Sequence, residues 1–218
     1  EDRHPTAHGM SMEQGDNTGL RSLLQHPALW RGRGAAPREG SSTGFPALDA
    51  ALPDGGWPCR GLVEILVPAL GCGELALWTP LIRRLTHSDS PRWCAFVAPP
   101  FEPFAPAWQG EGARLDRLLV VNAGRSDSLW ALEQCLLSGA CALGLAWPEA
   151  AGMTELRRLA LAAERGASLG VLIRPSRAVR ESSAATLRIA LTRTAAHLRL
   201  ELLKGRGLVP RTVQVALP

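Results

Sequence analysis

Residues 61–75 constrain the fold more than any other stretch of the chain. From Leu62 to Val67 five of six side chains are apolar with no alternation, the pattern of a strand covered on both faces and so of a central parallel strand. A turn containing Gly71 and Gly73 follows, and then a run with helical character. This is where a nucleotide-binding α/β protein cradles phosphate. The P-loop pattern G-x-x-x-x-G-K-[ST] uses backbone N–H groups and a lysine for the phosphates, and a hydroxyl for Mg²⁺. Here Glu74 stands where the cation is needed and Leu75 where the hydroxyl is needed. A carboxylate repels phosphate, so the turn reads as a nucleotide loop stripped of its chemistry, and no cofactor is expected.

The rest of the chain alternates strand and helix. Residues 42–52 form a short capped helical turn, and 74–85 a helix in which Pro80 forces a kink or a late start. Strands are expected over 93–98, 118–122, 142–147 and 169–173, with helices over 128–137 and 154–165. Thr154 is the expected cap of the latter helix and Gly166 its stop. Residues 187–191, 198–203 and 212–217 alternate apolar and polar positions. The expected architecture is α/β: a mostly parallel central sheet flanked by helices, with antiparallel strands at the C-terminal end. Residues 1–18 read as a disordered leader, 19–41 as an N-terminal helix and a Gly/Arg/Pro/Ser linker, and 42–218 as the folded domain.

The formal net charge is +4, and Lys204 is the only lysine, so the basic excess is almost all arginine. Arginine pairs bidentately with phosphate and carboxylate, which admits a nucleic acid or an acidic protein as partner; arginine-rich codon usage explains the bias equally well. The five cysteines form no C-x-x-C pair and no zinc spacing, which points to reduced thiols in a cytoplasmic protein. His26, His87 and His197 are isolated in sequence, and neither a metal site nor a nucleophile constellation is expected. No apolar run reaches the length of a membrane span.

Ser42-Thr43-Gly44, Leu48-Asp49, Gly55-Gly56, Pro58, Gly61 and Val63-Glu64-Ile65 resemble the stretch leading into the nucleotide site of the RecA recombinases. Cys94-Ala95-Phe96-Val97, Ala131-Leu132-Glu133 and Ser138-Gly139-Ala140 continue that resemblance in order. With Pro27-Ala28-Leu29-Trp30-Arg31-Gly32, Gly73-Glu74-Leu75 and Val97-Ala98-Pro99-Pro100, the chain resembles one RecA-related group in particular, the ImuA family of bacterial SOS-mutagenesis accessory proteins. The division inhibitor SulA is a more distant relative. The resemblance implies a RecA-like core over 42–218 that acts in error-prone translesion synthesis. The partners it implies are RecA, ImuB and an error-prone replicative-type polymerase, with single-stranded DNA as a further candidate. The departures from RecA agree with one another. Pro99-Pro100 take the place of the RecA carboxylates that activate water, and Ala146-Trp147-Pro148 the place of the Mg²⁺-supporting aspartate. Phosphoryl transfer needs all these parts, so the resemblance implies an accessory protein without ATPase activity. A SulA-like inhibitor of FtsZ and a weak RecA-like ATPase are the alternatives.

By the same resemblance the segment after the fifth strand matches a DNA-contacting loop, which makes Arg174, Arg177 and Arg180 candidates for phosphate contact, with Lys204 and Arg206 extending the patch. A solvated basic loop and an ordinary hairpin turn are the plainer readings. Leu23, Leu24, Leu29 and Trp30 are candidates for docking a partner, or for folding back on their own domain. Phe101, Phe104 and Trp108 lie in a proline-interrupted aromatic run that reads either as an exposed docking loop or as a cover over the sheet's carboxyl edge. The oligomeric state is left open.

Overall fold

The computed structural model describes residues 40–89 and 92–216. The expected leader, N-terminal helix and most of the linker lie outside the described residues, and with them Leu23, Leu24, Leu29 and Trp30. In chain order the elements are α1 (Pro46–Asp49), β1 (Gly61–Val67), α2 (Thr79–Thr86), β2 (Trp93–Val97), α3 (Ala105–Gly110), β3 (Leu118–Val121), α4 (Ser128–Leu137), β4 (Cys141–Ala146), α5 (Met153–Arg165), β5 (Leu169–Pro175), β6 (Leu187–Arg193), β7 (His197–Lys204) and β8 (Arg211–Ala216). Three 3₁₀ turns, Glu74–Leu77, Leu115–Arg117 and Ser176–Arg180, join them.

The eight strands among the described residues form one sheet in the order β3-β2-β4-β5-β1-β6-β7-β8. The first six are mutually parallel, and β7 runs antiparallel to both β6 and β8. This is the expected α/β architecture. β1 lies between β5 and β6, and each of its seven residues is buried, as an apolar run without alternation requires. β7 alternates exposed and buried residues, as a strand with one wetted face does.

Strand alternation divides the core into two layers. Val63, Ile65 and Val67 face a layer containing Trp57, Trp78, Leu81, Ile82 and Trp108. Leu62 faces the opposite layer, where Leu132, Leu136, Leu156 and Leu159 cover the sheet. Trp57 and Trp78 are fully buried and stack with ring centroids 4.3 Å apart, which pins the segment before β1 onto the start of α2. α4 approaches the sheet closely because β4 and β5 carry Gly144 and Gly170 beneath it: a Cβ on Gly144 would lie 2.7 Å from Leu132 Cδ1, and one on Gly170 2.9 Å from Leu136 Cδ1.

Of the two alternatives expected at Pro80, the structure shows the late start: a 3₁₀ turn over Glu74–Leu77 precedes α2, which begins at Thr79 with Pro80 in its first turn, where the missing N–H costs nothing. One local expectation is corrected. The cap of α5 is Gly152 in place of Thr154, with the Glu155 carboxylate accepting from the Gly152 N–H. Gly166 ends α5 as expected.

Candidate functional site

The turn after β1 folds upon its own carboxylate. Gly71 and Gly73 take φ values of 76° and 100°, in the left-handed region that glycine adopts without strain. This reversal brings Glu74 back over the turn. The Gly71 N–H donates to Glu74 Oε1 at 2.9 Å, and Glu74 is only 4% exposed. Its second oxygen, Oε2, is buried without a hydrogen-bond partner among the described residues. The Ala76 N–H is satisfied by Gly73 O and the Trp78 N–H by Leu75 O, so the 3₁₀ turn uses these donors internally. Leu75 packs against the apolar layer. Burial, and next the negative charge of Glu74, push the Cys72 thiol up to about 11.

The neighbouring strands β2 and β4 end on uncharged residues. After β2, Ala98 adopts φ 46°, a strained value for a residue with a side chain, and donates its N–H to Val121 O before Pro99-Pro100. β4 ends at Ala146 and runs into Trp147-Pro148, and the next carboxylate, Glu149, is exposed and paired with Arg125 at 2.6 Å. Among the described residues no group of three or more His, Cys, Asp or Glu side chains could hold a metal ion.

A cleft of about 1160 Å³ opens beside the turn, lined by residues of α2 and α3 and by the segment after β2. Phe101 and Phe104 stand on its rim, 71% and 68% exposed. Trp108 does not share that exposure. It lies on α3, is buried, and packs on Phe96 with centroids 5.1 Å apart, which corrects its place in an exposed docking loop. Pro106 sits in the first turn of α3 and starts the helix where the sequence suggests irregular chain.

The arginines expected at a DNA surface separate into two groups. β5 extends through Pro175, so Arg174 is a strand residue, fully buried, and is not available to a phosphate. Its guanidinium lies 2.7 Å from Glu64 Oε1 and 2.6 Å from Glu181 Oε2. Arg188 on β6 lies 2.8 Å from Glu64 Oε2 and donates to the Glu181 and Ala178 carbonyls. Two arginines and two glutamates thus form a charge network under the sheet. Its signal in the sequence is Glu64 itself, a lone carboxylate in a strand covered on both faces, which needs buried cations nearby. Arg177 and Arg180 are exposed on the 3₁₀ turn after β5. Lys204, at the end of β7, donates to Ser183 O, and Arg206 lies exposed in the β7–β8 turn.

No family model matches the chain. It is 34% identical over 137 residues to the curated protein named Protein ImuA in each of two strains of Caulobacter vibrioides, a match that covers 61% of this chain. The resemblance to ImuA read from the sequence is therefore borne out. The chain spans 56% of the length of those relatives. Among solved structures it is similar to SulA from Pseudomonas aeruginosa, with a TM-score of 0.44 and 23% identity over 52% of this chain and 97% of that one. No helix among the described residues is long and apolar enough to cross a membrane.

Proposed function

We propose that this chain is a non-catalytic, RecA-like accessory protein of error-prone translesion synthesis in the SOS response, acting in the cytoplasm through its surfaces. The observation that carries the absence of catalysis is the hydrogen bond from the Gly71 N–H to Glu74. In the turn that would cradle phosphate the Gly71 N–H is taken by a carboxylate of the chain itself, and an incoming triphosphate would meet negative charge with no lysine to offset it. The SOS-mutagenesis role is supported by the likeness to Protein ImuA. On this reading the partners are RecA, ImuB and an error-prone replicative-type polymerase, and the protein needs no nucleotide to bind them. Arg177, Arg180, Lys204 and Arg206 are the proposed contacts to single-stranded DNA, with Arg174 excluded by burial.

The test is capture of purified RecA, ImuB and polymerase by the purified chain, with and without ATP and Mg²⁺, followed by a salt titration on single-stranded DNA. The reading expects nucleotide-independent capture of at least one protein. Reversing charge at Arg177 and Arg180 should remove salt-dependent DNA binding and leave protein capture unchanged. Failure to capture any of the three proteins refutes the reading.

A further inference from the structure

The cleft beside the Glu74 turn carries an unbalanced set of charges on apolar walls. Leu75, Phe96, Trp108 and Trp147 line it, and Phe101 and Phe104 flank its opening. Three carboxylates line it as well: Glu74, Glu102 and Glu111. The cations there are largely engaged. Arg84 donates to Ser41 Oγ and Ser42 O and helps hold Asp49 ionised, and the His87 ring lies 3.0 Å from Gly112 O. Arg83 lies against Gly112, where a Cβ would meet its Nε at 3.3 Å. Among the described residues, therefore, Arg83 is without a polar partner and shares the cleft with three carboxylates that have no cationic partner.

Glu74 adds an unmet requirement. Its Oε2 is buried and takes no hydrogen bond among the described residues, the Cys72 thiol being the polar side chain beside this carboxylate, and a carboxylate oxygen out of water without a hydrogen bond is destabilising. A guanidinium supplies five donors in a planar fork, is weakly hydrated, and is attracted to aromatic faces. The exposed phenylalanines suit apolar side chains flanking that cation, and an exposed apolar rim marks a protein contact more than a closed metabolite pocket.

We propose that this cleft receives an arginine-bearing apolar segment of a partner protein, with the arginine directed to the carboxylates around Glu74 and its apolar neighbours packed on Phe101 and Phe104. The proposal rests on the reading that the chain acts through surfaces, and it names the chemistry of what one surface takes.

The test titrates the purified full chain with acetyl-Leu-Arg-Phe-amide, followed by tryptophan fluorescence and calorimetry. Controls are the citrulline peptide, which keeps the shape and loses the charge, the glutamate peptide, and free arginine amide. The expected result is saturable binding of the arginine peptide with a dissociation constant of about 1 mM, weakened about tenfold or more by citrulline. Glu74→Gln should weaken it similarly. Glu102→Gln and Phe104→Ala, both on the outer part of the cleft, should each weaken it without disturbing the fold. The proposal is overturned if the arginine and citrulline peptides bind alike, if the glutamate peptide binds better, if free arginine amide binds as well as the peptide, or if nothing saturates. Loss of peptide binding with RecA or ImuB still captured removes the cleft and leaves the accessory role intact. Charge-dependent peptide binding without capture of either upholds the cleft and removes those two partners.

Discussion

Replacing Glu64 by Gln probes the charge network beneath the sheet. The side chain keeps its shape and loses its charge, so any effect is electrostatic and not a cavity. In the native chain Glu64 is fully buried and lies between Arg174, also fully buried, and Arg188, 7% exposed. After the change, the carboxylate left beside Arg174 is Glu181, whose side chain is 48% exposed. Breaking a buried ion pair by removing one partner costs about 3–5 kcal/mol, because the remaining charge is left in a poorly polarisable interior. At about 2–4 °C of melting temperature per kcal/mol for a domain of this size, the expected fall is roughly 6–20 °C. Urea melts followed by tryptophan fluorescence and by circular dichroism give the free energy directly, with coincident transitions as the check on two-state behaviour. Replacing Glu64, Arg174 and Arg188 together by methionine removes charge and desolvation cost at once, and should recover much of the loss. A Glu64→Gln cost below about 1 kcal/mol, with an unchanged denaturant slope, would refute the claim that these ions depend on one another.

Gly166→Ala would place a Cβ 1.8 Å from the Leu136 carbonyl oxygen, so backbone must move, and thermal melts should register a loss of more than about 1–3 kcal/mol. Burial raises the Asp49 carboxyl, but the Thr43 N–H, the Ser42 hydroxyl and the Arg84 charge outweigh it and hold the group below its ordinary value. Asp49 therefore contributes stability that is fully present above the unfolded value of about 3.9 and is lost as pH falls through the lower folded value. Urea melts should show the gap between native chain and Asp49→Asn closing below about pH 4 and constant above about pH 5; a gap that widens on acidification contradicts this. The Cys141 thiol holds Cys135 down to about 7, whereas burial pushes Cys94 up to about 12. Limited alkylation near neutral pH, read by peptide mass spectrometry, should accordingly label Cys135 before Cys72 or Cys94.

The sequence makes the sheet legible where hydrophobic pattern decides. β1 is apolar without alternation and is buried on both faces, and β7 alternates and is half wetted. Helix starts are harder to read, because proline has opposite meanings at different positions. Pro46, Pro80 and Pro106 each lie in the first turn of a helix, whereas read alone Pro80 suggests either a kink or a late start and Pro106 an irregular stretch. That ambiguity merges the 3₁₀ turn with α2 and makes α3 look like loop, which in turn places Trp108 outside the core. Arg174 is misread for a different reason. It heads a run of arginines, and surface charge is the ordinary expectation for such a run. The strand continues two residues past the expected end, and alternation then places its guanidinium under the sheet with Glu64. The Glu74 turn is only half legible: residue types announce that the phosphate site is altered, but the hydrogen bond to Gly71 depends on two left-handed glycines acting together.

The most direct test is equilibrium binding of Mg²⁺·ATP to the purified chain, by calorimetry and with a fluorescent adenine nucleotide. The carboxylate held on the turn by the Gly71 N–H predicts no saturable binding at concentrations up to about 1 mM, with or without Mg²⁺. Saturable, Mg²⁺-dependent binding well below that concentration, abolished by enlarging Gly71 or Gly73, would contradict it.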